Sequence, residues 1–160
     1  MVSRAEDLTL EDIGVRYGFP GNQRSQGFNQ AEVFANLDFP LEWVVRTRWH
    51  VQPRLDFSAG WLGGHGDNGF IVEAGPSLAL SFKQCPLKLE GGVCPTLISR
   101  TEYGSHDFGD MLQFTSYGGM YLNLGEHWRL GYRYQHMSNA HISQHNGALN
   151  LQMIGVSFRF

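Results

Sequence analysis

Lysine is nearly missing from this 160-residue chain, which holds only Lys83 and Lys88, and the net charge is −3. With no basic run either, a nucleic-acid partner is excluded. No stretch approaches the roughly 18 consecutive apolar residues of a membrane helix, so a helical span is excluded too. The N-terminus lacks a charged segment followed by an apolar one, so no signal peptide is visible. That leaves a cytosolic protein or an exported one whose leader has been removed, with Met1 in its place. Cysteine is limited to Cys85 and Cys94. With Cys85 in a turn and Cys94 well up the next strand they stand roughly 23 Å apart at ~3.3 Å per residue, far beyond the ~7 Å that a disulfide spans. Both read as free thiols. No Asp or Glu follows Glu126, so any carboxylate serving the last third of the chain must come from an earlier strand or loop.

What is abundant is glycine (20 residues) and aromatic side chains (11 Phe, 6 Tyr, 4 Trp), a composition that suits a β protein with many turns. The length suits one domain, residues 1–160. Beyond a loose leader, Met1 to Glu11, period-two alternation recurs along the chain. Ile13, Val15, Tyr17 and Phe19 alternate with Asp12, Gly14, Arg16 and Gly18. In the run from Phe28 to Phe39, Ala31, Val33, Ala35 and Leu37 oppose Gln30, Glu32 and Asn36, while Phe28 and Phe34 break the pattern. Pro40 to Arg48 is a long turn or the start of a strand. Further alternating runs cover Trp49 to Leu62, Phe70 to Phe82, Leu87 to Arg100, Met111 to Leu124, Trp128 to Ala140 and Asn150 to Phe160.

The expected fold is therefore all-β, with eight antiparallel strands. Alternation alone fits an outer-membrane barrel, apolar outside, and equally a soluble lipocalin-like barrel with the faces reversed. Three features favour the membrane barrel: aromatics concentrate near strand ends, longer loops alternate with short turns, and the chain closes on Val156-Ser157-Phe158-Arg159-Phe160. That ending resembles the C-terminal assembly signal of bacterial outer-membrane barrels. Eight strands leave a lumen filled by side chains, not a pore. The inward acids Asp12, Glu32, Asp56, Glu73 and Glu90 are expected to pair with Arg16, Arg54, Lys88, Arg129, Arg133 and Arg159 as a polar core. With both termini periplasmic, the loops at Pro20 to Gly27, Gly63 to Asn68, Thr101 to Asp110 and His141 to Leu149 lie outside the cell.

One strand carries chemistry on its apolar face. Trp128, Leu130, Tyr132 and Tyr134 are followed, on the same side, by His136 and Ser138. A serine hydroxyl is a weak nucleophile that needs a base, and an imidazole two residues away on one strand face is within reach. Asn150 opens the next strand with the same parity, and a hairpin brings it beside His136. The spacing also arises by chance, but polar groups on a lipid-facing surface are costly without a role.

The segment His136-Met137-Ser138-Asn139-Ala140, with Asn146 and an outward residue fourteen positions after the histidine, resembles the signature of the outer-membrane lipid A 3-O-deacylases (PagL type). The eight-strand plan agrees along the whole chain, whereas the specific motif covers Arg133 to Asn150. The resemblance implies a serine esterase with Ser138 as nucleophile and His136 as general base. A Glu at the matching third position orients the histidine in that family; here Asn150 stands there. Asn146 and a backbone N–H near His141 are the implied oxyanion donors, with Asn139 holding the loop. Asn139, Asn146 and Gly147 also suit plain turn chemistry. His141 and His145 read as solvated loop residues with no third metal ligand at suitable spacing, so no metal and no cofactor is expected. The implied substrate is the lipid A part of lipopolysaccharide, met among outer-membrane lipids near the extracellular rim. Two alternatives are a non-enzymatic small barrel for adhesion or envelope stability, and a soluble lipocalin-like binder.

Overall fold

The computed structural model describes residues 2–4, 7–45 and 48–160. Eight long strands run up and down: β1 Thr9–Pro20, β2 Phe28–Asp38, β3 Trp49–Gly64, β4 Asp67–Phe82, β5 Leu87–Ile98, β6 Leu112–Leu124, β7 Trp128–Ser138 and β8 Leu149–Arg159. Each pairs antiparallel with its neighbours in sequence, and β8 closes on β1 through Val156↔Val15 and the pairs around it. Closure leaves none of the eight with an open edge.

The faces point as an outer-membrane barrel requires. Val33 is 58% exposed, whereas its neighbour Glu32 is 4% exposed. The same division holds around the wall, with Val15, Phe70, Val72, Val93, Leu97 and Ile154 outside and Arg16, Asp56, Glu73 and Arg133 inside. A soluble barrel would have these faces exchanged, so the lipocalin-like alternative falls. Aromatic pairs mark both ends of the apolar band: Trp49–Phe82 and Trp128–Phe158 towards the termini, Trp61–Phe70 towards the opposite end.

Inside, charges are neutralised in pairs, as buried ions must be. Arg16 Nε meets Glu32 at 2.6 Å. One terminal nitrogen of Arg133 lies 3.3 Å from Glu32 and 3.2 Å from Glu73. Arg129 bridges Asp12 at 2.6 Å and Glu11 at 2.8 Å, and Arg54 holds Glu90 at 2.9 Å. The Tyr117 hydroxyl donates to Asp56. Phe34, out of phase with its neighbours, faces inward because the Arg16 guanidinium stacks on its ring, 4.0 Å from the centre. Lys88 and Asp56 depart from the expected pairing, since among the described residues neither forms an ion pair: Asp56 accepts from the Ser77 and Tyr117 hydroxyls, and Lys88 lines a polar cavity of about 210 Å³ with Glu11, Asp38 and Arg159 at the terminus end.

The structure differs from the sequence reading in four further places. Leu41–Val45 is a short strand that pairs with Val2–Arg4 and with the start of β3, so part of the expected leader and turn is ordered sheet; residues 1, 5, 6, 46 and 47 lie outside the described residues. The loop expected over Gly63 to Asn68 shrinks to His65-Gly66, both at positive φ (51° and 91°), the geometry of a tight hairpin turn. Residues Thr101 to Asp110 are no open polar loop: Glu102–Tyr103 pairs with His106–Asp107 and folds over the mouth. The lumen is consequently apolar at that end. Phe28, Leu62, Ile71, Ile98, Met137, Leu149, Leu151 and Met153 are buried there with Tyr103 and Phe108 from the loop. A folded-over loop brings aromatic groups that need apolar partners, which explains the inward Phe28. Burial holds the Tyr103 phenol above its ordinary pKa. Cys85 is exposed, Cys94 is buried, and both are free.

Candidate active site

The strand that presents His136 and Ser138 starts from a tight turn at Gly125 (φ 71°) and is pinned on both sides. Its outward face runs Trp128, Leu130, Tyr132, Tyr134, all exposed, then His136 and Ser138, both half-buried at the rim away from the termini. Register sets the neighbours: His136 faces Ser116 on β6 and Asn150 on β8, and Ser138 faces Phe114. The Asn150 amide oxygen lies 2.9 Å from His136 Nδ1. With Nδ1–H donating to that oxygen, Nε2 keeps its lone pair free. Among the described residues no hydrogen bond joins Ser138 to the ring. Among the described residues no carboxylate lies against the ring, whose partner is an amide.

The strand stops where two consecutive non-glycine residues, Ala140 (φ 52°) and His141 (φ 64°), turn left-handed, a backbone that costs roughly 1–2 kcal/mol each. Asn139 maintains it. Its fully buried side chain donates to the backbone oxygens of Phe108 (3.0 Å) and His145 (2.6 Å), and accepts from His141 N–H (3.0 Å). Asn146 Oδ1 accepts from Asn139 N–H at 3.1 Å, which leaves the Asn146 amide N–H groups for another acceptor. The expected donor near His141 is thus engaged: its N–H already serves Asn139. The folded-over loop buttresses this turn, with Gly147 N–H donating to Asp107 O at 3.1 Å and His106 Nε2 lying 3.2 Å from Gly147 O.

His136, Asn146 and Asn150 line one open groove of about 910 Å³, whose other walls are Asn22, Gln23, Arg24, His106, Gly147 and Ala148. Ser138 lies outside that lining, on the same strand face beyond His136. At this end of the barrel Arg100 is tied to Asp67 at 3.0 Å, while Arg24, exposed in the groove, has no carboxylate partner among the described residues. Imidazole with a free Nε2, a nearby hydroxyl and amide donors together suit acyl transfer on an ester held at the lipid boundary. Among the described residues no cluster of three or more His, Cys, Asp or Glu side chains could hold a metal ion.

The family model described as lipid A 3-O-deacylase (PagL) matches residues 29–159. The chain belongs to this family. It is 28% identical over 160 residues to a lipid A deacylase PagL of Bordetella bronchiseptica, covering 95% of this chain and 85% of that one. Its fold matches a crystal structure of the outer membrane enzyme PagL with a TM-score of 0.82 at 20% identity, over 93% of this chain and 99% of the other. Membership of a deacylase family makes the protein a hydrolase, and the barrel an outer-membrane one. Arg24 and His106 escaped the sequence reading of this site. They come from loops 112 and 30 positions away in sequence from His136, and no local spacing ties them to it.

Proposed function

We propose that this member of the lipid A 3-O-deacylase family cleaves the 3-linked acyl ester of lipid A in the outer leaflet, with Ser138 as nucleophile. The observation that carries the reading is the register pair of His136 and Asn150 on the lipid-facing rim, with Ser138 two residues along the same face. His136 Nε2 takes the Ser138 proton as Oγ attacks the ester carbonyl carbon. The tetrahedral oxyanion is met by the Asn146 amide N–H; the His141 N–H joins only if its bond to Asn139 opens when substrate binds. Collapse breaks the bond to the sugar oxygen, which takes the proton from Nε2. Water, deprotonated by the same nitrogen, then attacks the acyl-serine; the bond to Oγ breaks, Oγ takes the proton back from Nε2, and a fatty acid is released. Asn150 holds the ring in its Nδ1–H form, as an amide can, but does not stabilise imidazolium as a carboxylate would. Arg24, on the groove wall, takes an anionic group of the head.

Mass spectrometry of lipid A before and after incubation tests this. The expected result is loss of one acyl chain from the 3-position, abolished in Ser138→Ala and His136→Ala barrels that still fold. Full activity in either variant sinks the assignment. A non-enzymatic envelope barrel would release no ester and leave Ser138 unlabelled by a serine-reactive phosphonate.

A further inference from the structure

Asn150 is gripped from outside the two strands that carry the site. The loop between β1 and β2 forms a single 3-10 turn, Gln23–Ser25, capped by Asn22. Ser25 is fully buried although its neighbours Arg24 and Gln26 are exposed. Its hydroxyl accepts from the backbone N–H of Asn150 at 2.9 Å and donates to Asn22 Oδ1 at 2.9 Å. From the other side, Gly21 N–H donates to Asn150 O at 2.8 Å. A Cβ at Gly21 would lie 2.8 Å from the Tyr134 ring and 3.1 Å from Asn150 O, so the chain passes here at contact distance. Both backbone polar groups of Asn150 are therefore fixed by one loop, at the first turn of β8, where strand ends otherwise fray.

An amide in the third position gives this grip its purpose. A carboxylate presents an acceptor whichever way it is turned. An asparagine presents an acceptor on one side and a donor on the other, and the wrong side would favour the Nε2–H tautomer, in which Nε2 has no lone pair. We propose that Ser25 is a positioning residue: by clamping the backbone of Asn150, together with Gly21, it holds that side chain at hydrogen-bond distance from His136 Nδ1, where the amide oxygen favours the Nδ1–H form and keeps Nε2 available as a base. The assignment rests on the Ser138–His136 reading above. It adds that the first extracellular loop belongs to the machinery through Ser25, not only through the groove wall.

The test compares Ser25→Ala and Ser25→Thr with the unaltered barrel, each checked for folding by heat-modifiable gel migration. Loss of one neutral hydrogen bond predicts a kcat about three- to tenfold lower for Ser25→Ala, with KM unchanged and Ser25→Thr close to normal. In an Asn150→Ala background Ser25→Ala should do nothing more, because it acts through Asn150. Independently of turnover, nitrogen NMR of the His136 ring should report the Nδ1–H tautomer in the parent and a mixture in Ser25→Ala. A single tautomer in both, or an equal further loss of kcat on top of Asn150→Ala, overturns the role. If the parent barrel releases no acyl chain, the esterase reading fails, while the tautomer measurement still decides whether Ser25 positions the ring. Should Ser25→Ala fail to fold, Ser25→Cys, of similar size but a weaker hydrogen-bonding partner, carries the same comparison.

Discussion

The Asn150 amide oxygen faces His136 Nδ1 at 2.9 Å across the pair that joins β7 to β8. Such a contact selects the tautomer but leaves the imidazolium formed during attack without a counter-charge. Asn150→Glu supplies one. The expected outcome is a kcat raised about tenfold or more, since the corresponding loss of charge in a serine protease triad costs far more than that. The carboxylate offsets the charge that forms on the ring during attack, so the gain falls on kcat. Turnover of lipopolysaccharide by both barrels checks this. An unchanged rate would mean that His136 and Ser138 work as a dyad.

Arg24 lies in the groove with His136, and no carboxylate competes for it among the described residues. An exposed charge contact is worth about 1 kcal/mol or less, so Arg24→Ala should raise KM up to roughly fivefold and leave kcat alone. The parent's KM should rise with added salt, as screening predicts, and that dependence should flatten in the variant. A fall in kcat at constant KM would remove Arg24 from substrate binding and make it part of the loop's scaffold.

Much of this was legible beforehand, because a period of two survives folding unchanged. Val33 out and Glu32 in could be read from alternation, and the direction of the barrel followed from the aromatic ends and the final Phe160. The adjacency of Asn150 and His136 was legible too, since a hairpin of known parity allows few registers. What could not be read was long-range. Ser25 meets Asn150 across 125 positions, and Tyr103 and Phe108 fold into the mouth from a segment whose composition is polar. Phe28 and Phe34 looked like flaws in a strand, yet one packs beneath that loop and the other under Arg16. Local pattern does not encode which distant partner an out-of-phase residue will find.

Arg133 is the hub of the lumen, fully buried and shared between Glu32 and Glu73. Arg133→Met keeps an unbranched apolar stem but removes the guanidinium, which leaves two buried carboxylates short of positive charge. Breaking a buried pair in this way costs about 3–5 kcal/mol. Urea titration of barrels in lipid vesicles should show that loss. The double variant Arg133→Met/Glu73→Gln should recover part of it, because one of the stranded charges has gone. No recovery would indicate that Glu73 is already protonated in the folded parent.

Val33 separates a membrane-embedded wall from a wet one. It stands mid-strand on β2, opposite Val15 on β1 and Ala59 on β3, and 58% of it is exposed. In hydrocarbon, arginine at a mid-barrel position costs about 2–4 kcal/mol, falling to near zero at the interfaces. Val33→Arg should therefore destabilise the barrel folded in vesicles by about that amount. Glu126→Arg, in the turn between β6 and β7, should leave it unchanged. The neighbouring carboxylate of Glu32 gives no relief, since it is turned into the lumen and already paired with Arg16. Equal stability of the two variants in vesicles would mean that the band around Val33 meets water, and an acyl chain would then have no route to Ser138 from within the leaflet.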